Sequence, residues 1–129
     1  MQALLLPLSV AAGGAIGALL RYVLAGRIEH HFGSAFPYAI LSINVIGSLL
    51  MGVLIAALAH YTPGSQTLRA FLAVGVLGGF TTFSSFSLDF VTLVERGDIS
   101  AALLYVLLSV GLSLAAIFAG IAATKGILS

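Results

Sequence analysis

The chain has 129 residues, of which 60% are hydrophobic and 7% charged, with a net charge of +1; an ordinary soluble domain carries roughly 25% charged residues. So little polar material cannot cover a water-facing surface, and so small a net charge offers no basic patch for nucleic acid. The absence of cysteine excludes a disulfide framework, a thiol nucleophile and a thiolate metal site.

A bilayer span takes about 20 apolar residues, and the charged residues mark where such spans begin and end. Span one runs from about Ala3 to Ala25 and is apolar except for Arg21. No basic residue precedes it, and it exceeds the roughly 7 to 15 apolar residues of a signal peptide, so the expectation is a permanent helix. Span two, about Ala35 to Ala59, is free of charge. Span three begins after Arg69 at about residue 70, meets no charge before Asp89, and continues to about Val94; span four covers about Ile99 to Thr124. The expected fold is therefore an all-α membrane protein, a single four-span unit over residues 1–129 with both termini on one side. The connections are short: Gly26 to Ser34 with Glu29, His30 and His31, then His60 to Leu68 with Pro63-Gly64, then Glu95 to Asp98. None can hold a soluble catalytic domain, so no enzyme is expected.

Lys and Arg near the cytoplasmic ends of spans normally fix orientation. Arg69 and Lys125 fall on the side of the termini; Arg27, Arg96 and, near the end of span one, Arg21 fall on the other. Two against three is nearly no bias. Such a chain can insert both ways, and two oppositely inserted copies can pair about an axis in the membrane plane; one orientation winning through other features is the alternative.

Small residues stand at helix-packing spacings, Gly13 with Gly17, Gly14 with Ala18, Gly75 with Gly79 and Ala116 with Gly120, where they permit close backbone approach in lipid. The most informative segment is Gly78-Gly79-Phe80-Thr81-Thr82-Phe83-Ser84-Ser85-Phe86. Paired glycines followed by Thr-Thr make a poor helix interior, which predicts a break near the membrane midplane. Irregular backbone at that depth survives only when buried in protein or lining a wet cavity, and it offers carbonyls to cations and amides to anions. The competing reading is a continuous helix that uses glycine for packing.

Neutral hydrogen-bonding groups form stripes: Tyr105, Ser109 and Ser113 on span four, Asn44 and Ser48 on span two. They serve either as a track of donors or as glue between helices; Asn44 is the costlier to bury unpaired. Asp89 and Glu95 lie toward the end of span three, leaving the interior without the acidic relay that cation and proton transport use. Neutral donors with one arginine suit an anion. Arg21 either draws anions into a vestibule or snorkels to the headgroups. Phe80, Phe83 and Phe86 recur every three residues, and aromatic rings have positive edges that an anion can touch; packing is their ordinary use.

On these residues the chain resembles the Fluc, or CrcB, fluoride channels. The match runs through Gly13 to Ala18 with Arg21-Tyr22, Asn44 with Gly47, and the Gly78 to Phe86 run. The resemblance implies a multi-pass protein of the bacterial inner membrane that assembles as an antiparallel, dual-topology homodimer surrounded by lipid. It implies two fluoride pathways per dimer, passive export that relieves fluoride toxicity, and a structural sodium ion (Na+) at the dimer centre. By motif, Phe83 and Phe86 match the phenylalanines lining the pathway, Asn44 its span-two polar residue, and Tyr105, Ser109 and Ser113 its polar track. Arg21 matches the arginine near the pore entrance, and Gly78 and Thr81 match the positions whose carbonyls hold sodium. Ser85 stands where relatives often have threonine, which keeps the hydroxyl.

Two other classes fit the size. A small dual-topology multidrug or cation transporter would need a membrane-embedded glutamate in span one, which is absent. A non-transporting assembly protein would use the polar stripes as glue. An intramembrane metalloenzyme would need a histidine-rich motif, whereas His30, His31 and His60 lie in or beside connections.

Overall fold

The computed structural model describes residues 2–129, and every regular element among them is helical. Helix α1 spans Gln2–Phe32 and α2 spans Tyr38–Tyr61. The third span is assembled from pieces: α3 (Gln66–Arg69), a π-helical stretch (Ala70–Leu77), α4 (Gly78–Phe80) and, after a break, α5 (Phe83–Glu95). Helix α6 spans Ile99–Leu128. Among the described residues four stretches are long and apolar enough to cross a membrane, Ala3–Phe32, Tyr38–Tyr61, Gln66–Glu95 and Ile99–Leu128, so the expected all-helical fold with a disrupted third span is the observed one.

Helix α1 runs past Ala25 through residues expected to form a connection. Residues 26–32 contain no proline, and the helix stops at Gly33, whose φ of +79° is the left-handed conformation that glycine adopts without penalty. The Gly33 N–H caps the Glu29 carbonyl at 2.7 Å. The turn from α5 to α6 is equally compact. Gly97 (φ +79°) donates to the Val94 carbonyl and Asp98 to that of Leu93, which is the Schellman arrangement. The Asp98 side chain then accepts from the Ala101 N–H to start α6. Arg96 donates to the Ser34 and Ala35 carbonyls at 3.3 and 3.4 Å. The first and third connections are thereby tied together at one end of the bundle.

Helix α1 packs along the third span, and α2 along α6. Glycines make both contacts possible. A Cβ on Gly13 would lie 2.9 Å from the Gly75 Cα, one on Gly79 would lie 2.8 Å from the Gly14 carbonyl oxygen, and one on Gly17 would overlap the Val76 carbonyl. Between α2 and α6, Gly52 faces the Ile117 carbonyl and Gly120 that of Leu49, again with no room for a methyl group. In lipid, close backbone approach of this kind drives helix association by van der Waals contact. A compact cluster of buried side chains, Phe86, Leu93, Ala102 and Tyr105, joins α5 to α6 beside the start of α2. Large apolar side chains elsewhere face outward, among them Leu107, Phe118 and Ile127, as suits a chain whose solvent is hydrocarbon.

A candidate ion pathway at the helix break

Where an unbroken helix would run on, Thr81 (φ −82°, ψ 158°) and Thr82 (φ −154°, ψ 121°) are extended. Gly78 and Gly79 remain helical. Gly79 serves close packing against Gly14, whereas Gly78 is exposed with nothing nearer than 3.4 Å to a Cβ placed there, and the break falls on the two β-branched residues that follow Phe80. The π-helical stretch ahead of them had no sequence signal.

Asn44 of α2 replaces the lost backbone partners. Its Oδ1 accepts the Thr82 N–H at 2.8 Å, and its Nδ2 donates to the Thr82 carbonyl at 3.0 Å. One carboxamide therefore satisfies both backbone groups of one extended residue. Thr82 then caps α5: its Oγ1 accepts the Ser85 N–H at 3.1 Å and lies 3.2 Å from Ser84 Oγ. With the Thr82 N–H directed to Asn44 and the Ser85 N–H to the Thr82 hydroxyl, the carbonyls of Gly78 and Thr81 lose the donors that a continuous helix would supply.

Beside the break lies a cavity of about 520 Å³ between α2, the break and α6. It brings together Asn44 and Ser48, Gly78 and Thr81, Phe83 and Phe86, and Ser109 and Ser113. Ser109 and Ser113 are the notable pair, because their hydroxyl oxygens are buried and have no hydrogen-bond partner among the described residues. A buried hydroxyl without a partner costs about 1–3 kcal/mol, so two on one wall mark where a polar guest would be held. The Phe83 and Phe86 rings are tilted by 59° with centroids 5.3 Å apart. Phe86 is only 9% exposed and Phe83 76%, so the first closes the inner wall and the second stands at the cavity's open side.

Two of the expected site residues are elsewhere. Tyr105 is fully buried behind Phe86, with ring centroids 5.1 Å apart, and its hydroxyl donates to Asp89 Oδ2 at 2.9 Å. It adjoins the cavity wall with its donor already engaged. Arg21 is half-buried on α1 and does not line the cavity. Asp89 is the residue that sequence reasoning set aside. It lies only about 9 Å along α5 from the break, at 1.5 Å per residue, and its position three residues after Phe86 was the available signal. Among the described residues no cluster of His, Asp and Glu is suited to a metal.

The family described as CrcB-like protein, Camphor Resistance (CrcB), matches residues 8–121. The chain is 55% identical over 115 residues to a Rhodospirillum centenum protein called fluoride-specific ion channel FluC, a match spanning 89% of this chain and 91% of that one. Proteins of the same description in Paracoccus denitrificans and Rhizobium meliloti are 53% and 48% identical. Those matches span 93% and 89% of this chain, and 94% and 92% of the relatives.

Proposed function

The chain belongs to the CrcB family, and on that premise we propose that it is a fluoride-specific ion channel whose conducting groups line the cavity at the break in the third span. It is a multi-pass membrane protein rather than an enzyme, and the bacterial inner membrane is the setting in which passive outflow would relieve fluoride toxicity. The observation that carries the site is the pair of buried, unpartnered hydroxyls of Ser109 and Ser113 on the cavity wall.

Fluoride is small and tightly hydrated, and an isolated ion entering hydrocarbon costs tens of kcal/mol. The chain replaces water in stages. The Ser109 and Ser113 hydroxyls are free to donate, and Asn44 retains one Nδ2 hydrogen beyond the one given to Thr82. The N-terminus of α5 opens at the break, where a helix carries roughly half a positive charge. The edges of Phe83 and Phe86 extend this partial positive field along the wall. None of these groups is a full cation, so the ion is solvated without being trapped, as conduction requires. Chloride, with the same charge at a larger radius, gains less from short contacts to such donors. Arg21 serves as an attractor outside the narrow region, and Tyr105, held by Asp89, fixes the Phe86 ring that it packs against.

Phe83, exposed at the cavity's open side, is where a second copy completes the wall. An antiparallel homodimer supplies two such walls and hence two pathways. The Gly78 and Thr81 carbonyls suit a sodium ion, a hard cation that takes neutral oxygens from unwound helices. Two carbonyls fall short of the roughly six oxygens that hard cations take, so the equivalent pair of the second copy belongs to the same site. When bound, the ion supplies a fixed positive charge near the midplane.

The test is electrode-monitored fluoride efflux from liposomes containing the purified protein, with and without excess chloride. Rapid efflux that chloride does not suppress is expected. Efflux no faster than from empty liposomes overturns the reading.

A further inference from the structure

A second cavity lies on a different face of the third span. It is a groove of about 440 Å³ between α1, α2 and the π-helical stretch, walled by Leu20, Leu24, Leu50, Val76 and Phe80 among other apolar side chains, with Arg27 at one end. Its inner end is at Phe80, beside the break. The stretch of α1 from Leu20 to Arg27 rises about 10 Å, within the roughly 15 Å of one leaflet, half of a hydrocarbon core about 30 Å thick. The groove thus runs from one end of the bundle toward its middle and no further.

Chemically the two ends differ. The walls offer nothing that a polar guest could bond. Arg27, by contrast, is exposed and makes no side-chain hydrogen bond among the described residues. Arg27 also borders an adjoining open cleft lined by Tyr22, Glu29 and His30. Arg27 lines the groove with its aliphatic stem, and a lone cation at the rim of an apolar slot of leaflet depth is complementary to a lipid whose tail fills the slot and whose headgroup carries net negative charge; a zwitterionic headgroup has the same phosphate but neutralises it with its own ammonium.

From this placement we infer that the groove is a binding site for an anionic phospholipid, with an acyl chain between α1, α2 and the third span and the headgroup phosphate on Arg27. Seated there, the chain packs against Val76 and Phe80, immediately before the break, and so supports the segment that holds the break in place. The site is separate from the cavity lined by Ser109 and Ser113, and the inference does not depend on what that cavity conducts.

The experiment is native mass spectrometry of the purified full chain, titrated with phosphatidylglycerol and, in parallel, with phosphatidylcholine of the same acyl chains. The wild-type chain should retain phosphatidylglycerol adducts in preference to phosphatidylcholine. Arg27→Gln should weaken phosphatidylglycerol binding on the order of fivefold, the equivalent of about 1 kcal/mol for one basic residue near a lipid surface. Arg27→Lys should keep most of the binding, and Leu24→Trp, which fills the slot, should remove it with Arg27 intact. Equal retention of the two lipids by wild type, a measurement that needs no variant, overturns the proposal. So does loss of self-association in Leu24→Trp with lipid binding unchanged, because a second copy would then occupy the groove.

Discussion

Asn44 satisfies both backbone groups of Thr82, so it is as much a part of the break as the threonines are. Asn44→Ala should leave a buried N–H and a buried carbonyl unpaired at about 1–3 kcal/mol each. The expected result is a lower unfolding temperature together with slower fluoride efflux, and efflux at the wild-type rate would show the break to be independent of that side chain. Ser109→Ala isolates the other role, since its hydroxyl bonds nothing among the described residues. It should leave the unfolding temperature unchanged or raise it, while efflux falls by roughly tenfold or more, given 1.5–3 kcal/mol for a hydrogen bond to an ion. Phe83→Ile removes the aromatic edge and keeps the apolar bulk; efflux should drop while the chain still folds and self-associates. Most of these residues were legible in the sequence, because Asn, Ser and Phe are conspicuous in a charge-poor helix. Their bonding was not. That Asn44 is a backbone surrogate and that Tyr105 donates a hydrogen bond to Asp89 depend on pairings 38 and 16 residues apart along the chain, which no local pattern encodes.

At the scale of elements, glycine placement decides which helices touch, and it separates positions that look alike in the sequence. Gly14 and Gly17 both stand in the small-residue run of α1, yet a Cβ on Gly14 meets nothing within 4 Å while one on Gly17 overlaps the third span. Gly17→Ala should therefore destabilise the chain by about 1–3 kcal/mol, the usual cost of overpacking, and Gly14→Ala should not. Thermal unfolding in detergent measures the difference, and equal shifts would mean that the α1 contact carries no weight. The hydropathy pattern gave the four spans to within a few residues of the helices, apart from the end of α1. That end was misplaced because charged residues were read as a connection, although Arg27 to His31 are compatible with helix and only Gly33, with its positive φ, stops it. The break was anticipated within the Gly-Gly-Phe-Thr-Thr run, and inside that run it lies at Thr81-Thr82 and not at the glycines. Glycine lowers helix propensity, but here the α1 contact holds Gly79 helical, and the capping bonds of Thr82 and Asn44 favour the extended backbone one step later. The π-helical stretch had no signature at all, since it is a matter of hydrogen-bond register and not of composition.

For the whole molecule, the decisive quantity is the small difference in basic residues between its two ends. Arg27 and Arg96 lie at the end where the first and third connections meet, with Arg21 toward it on α1, while Arg69 and Lys125 lie at the other. An antiparallel pair requires both insertions from one sequence, and a tally this even permits them. His30→Arg with His31→Arg would raise one end to five basic residues against two, and both positions are exposed at the end of α1, so the fold should tolerate the change. Orientation should become single, and with it efflux should be lost, because no oppositely inserted copy remains to complete the wall at Phe83. A second variant biased the other way, His60→Arg with Gln66→Lys and Thr67→Lys, carries five basic residues at that end against three, and should be inactive alone for the same reason. Co-expression of the two should restore fluoride efflux from cells, each supplying the orientation that the other lacks. Full efflux from either biased variant alone would mean that same-facing copies, or a single chain, suffice, and the two-fold arrangement about the break would have to be abandoned.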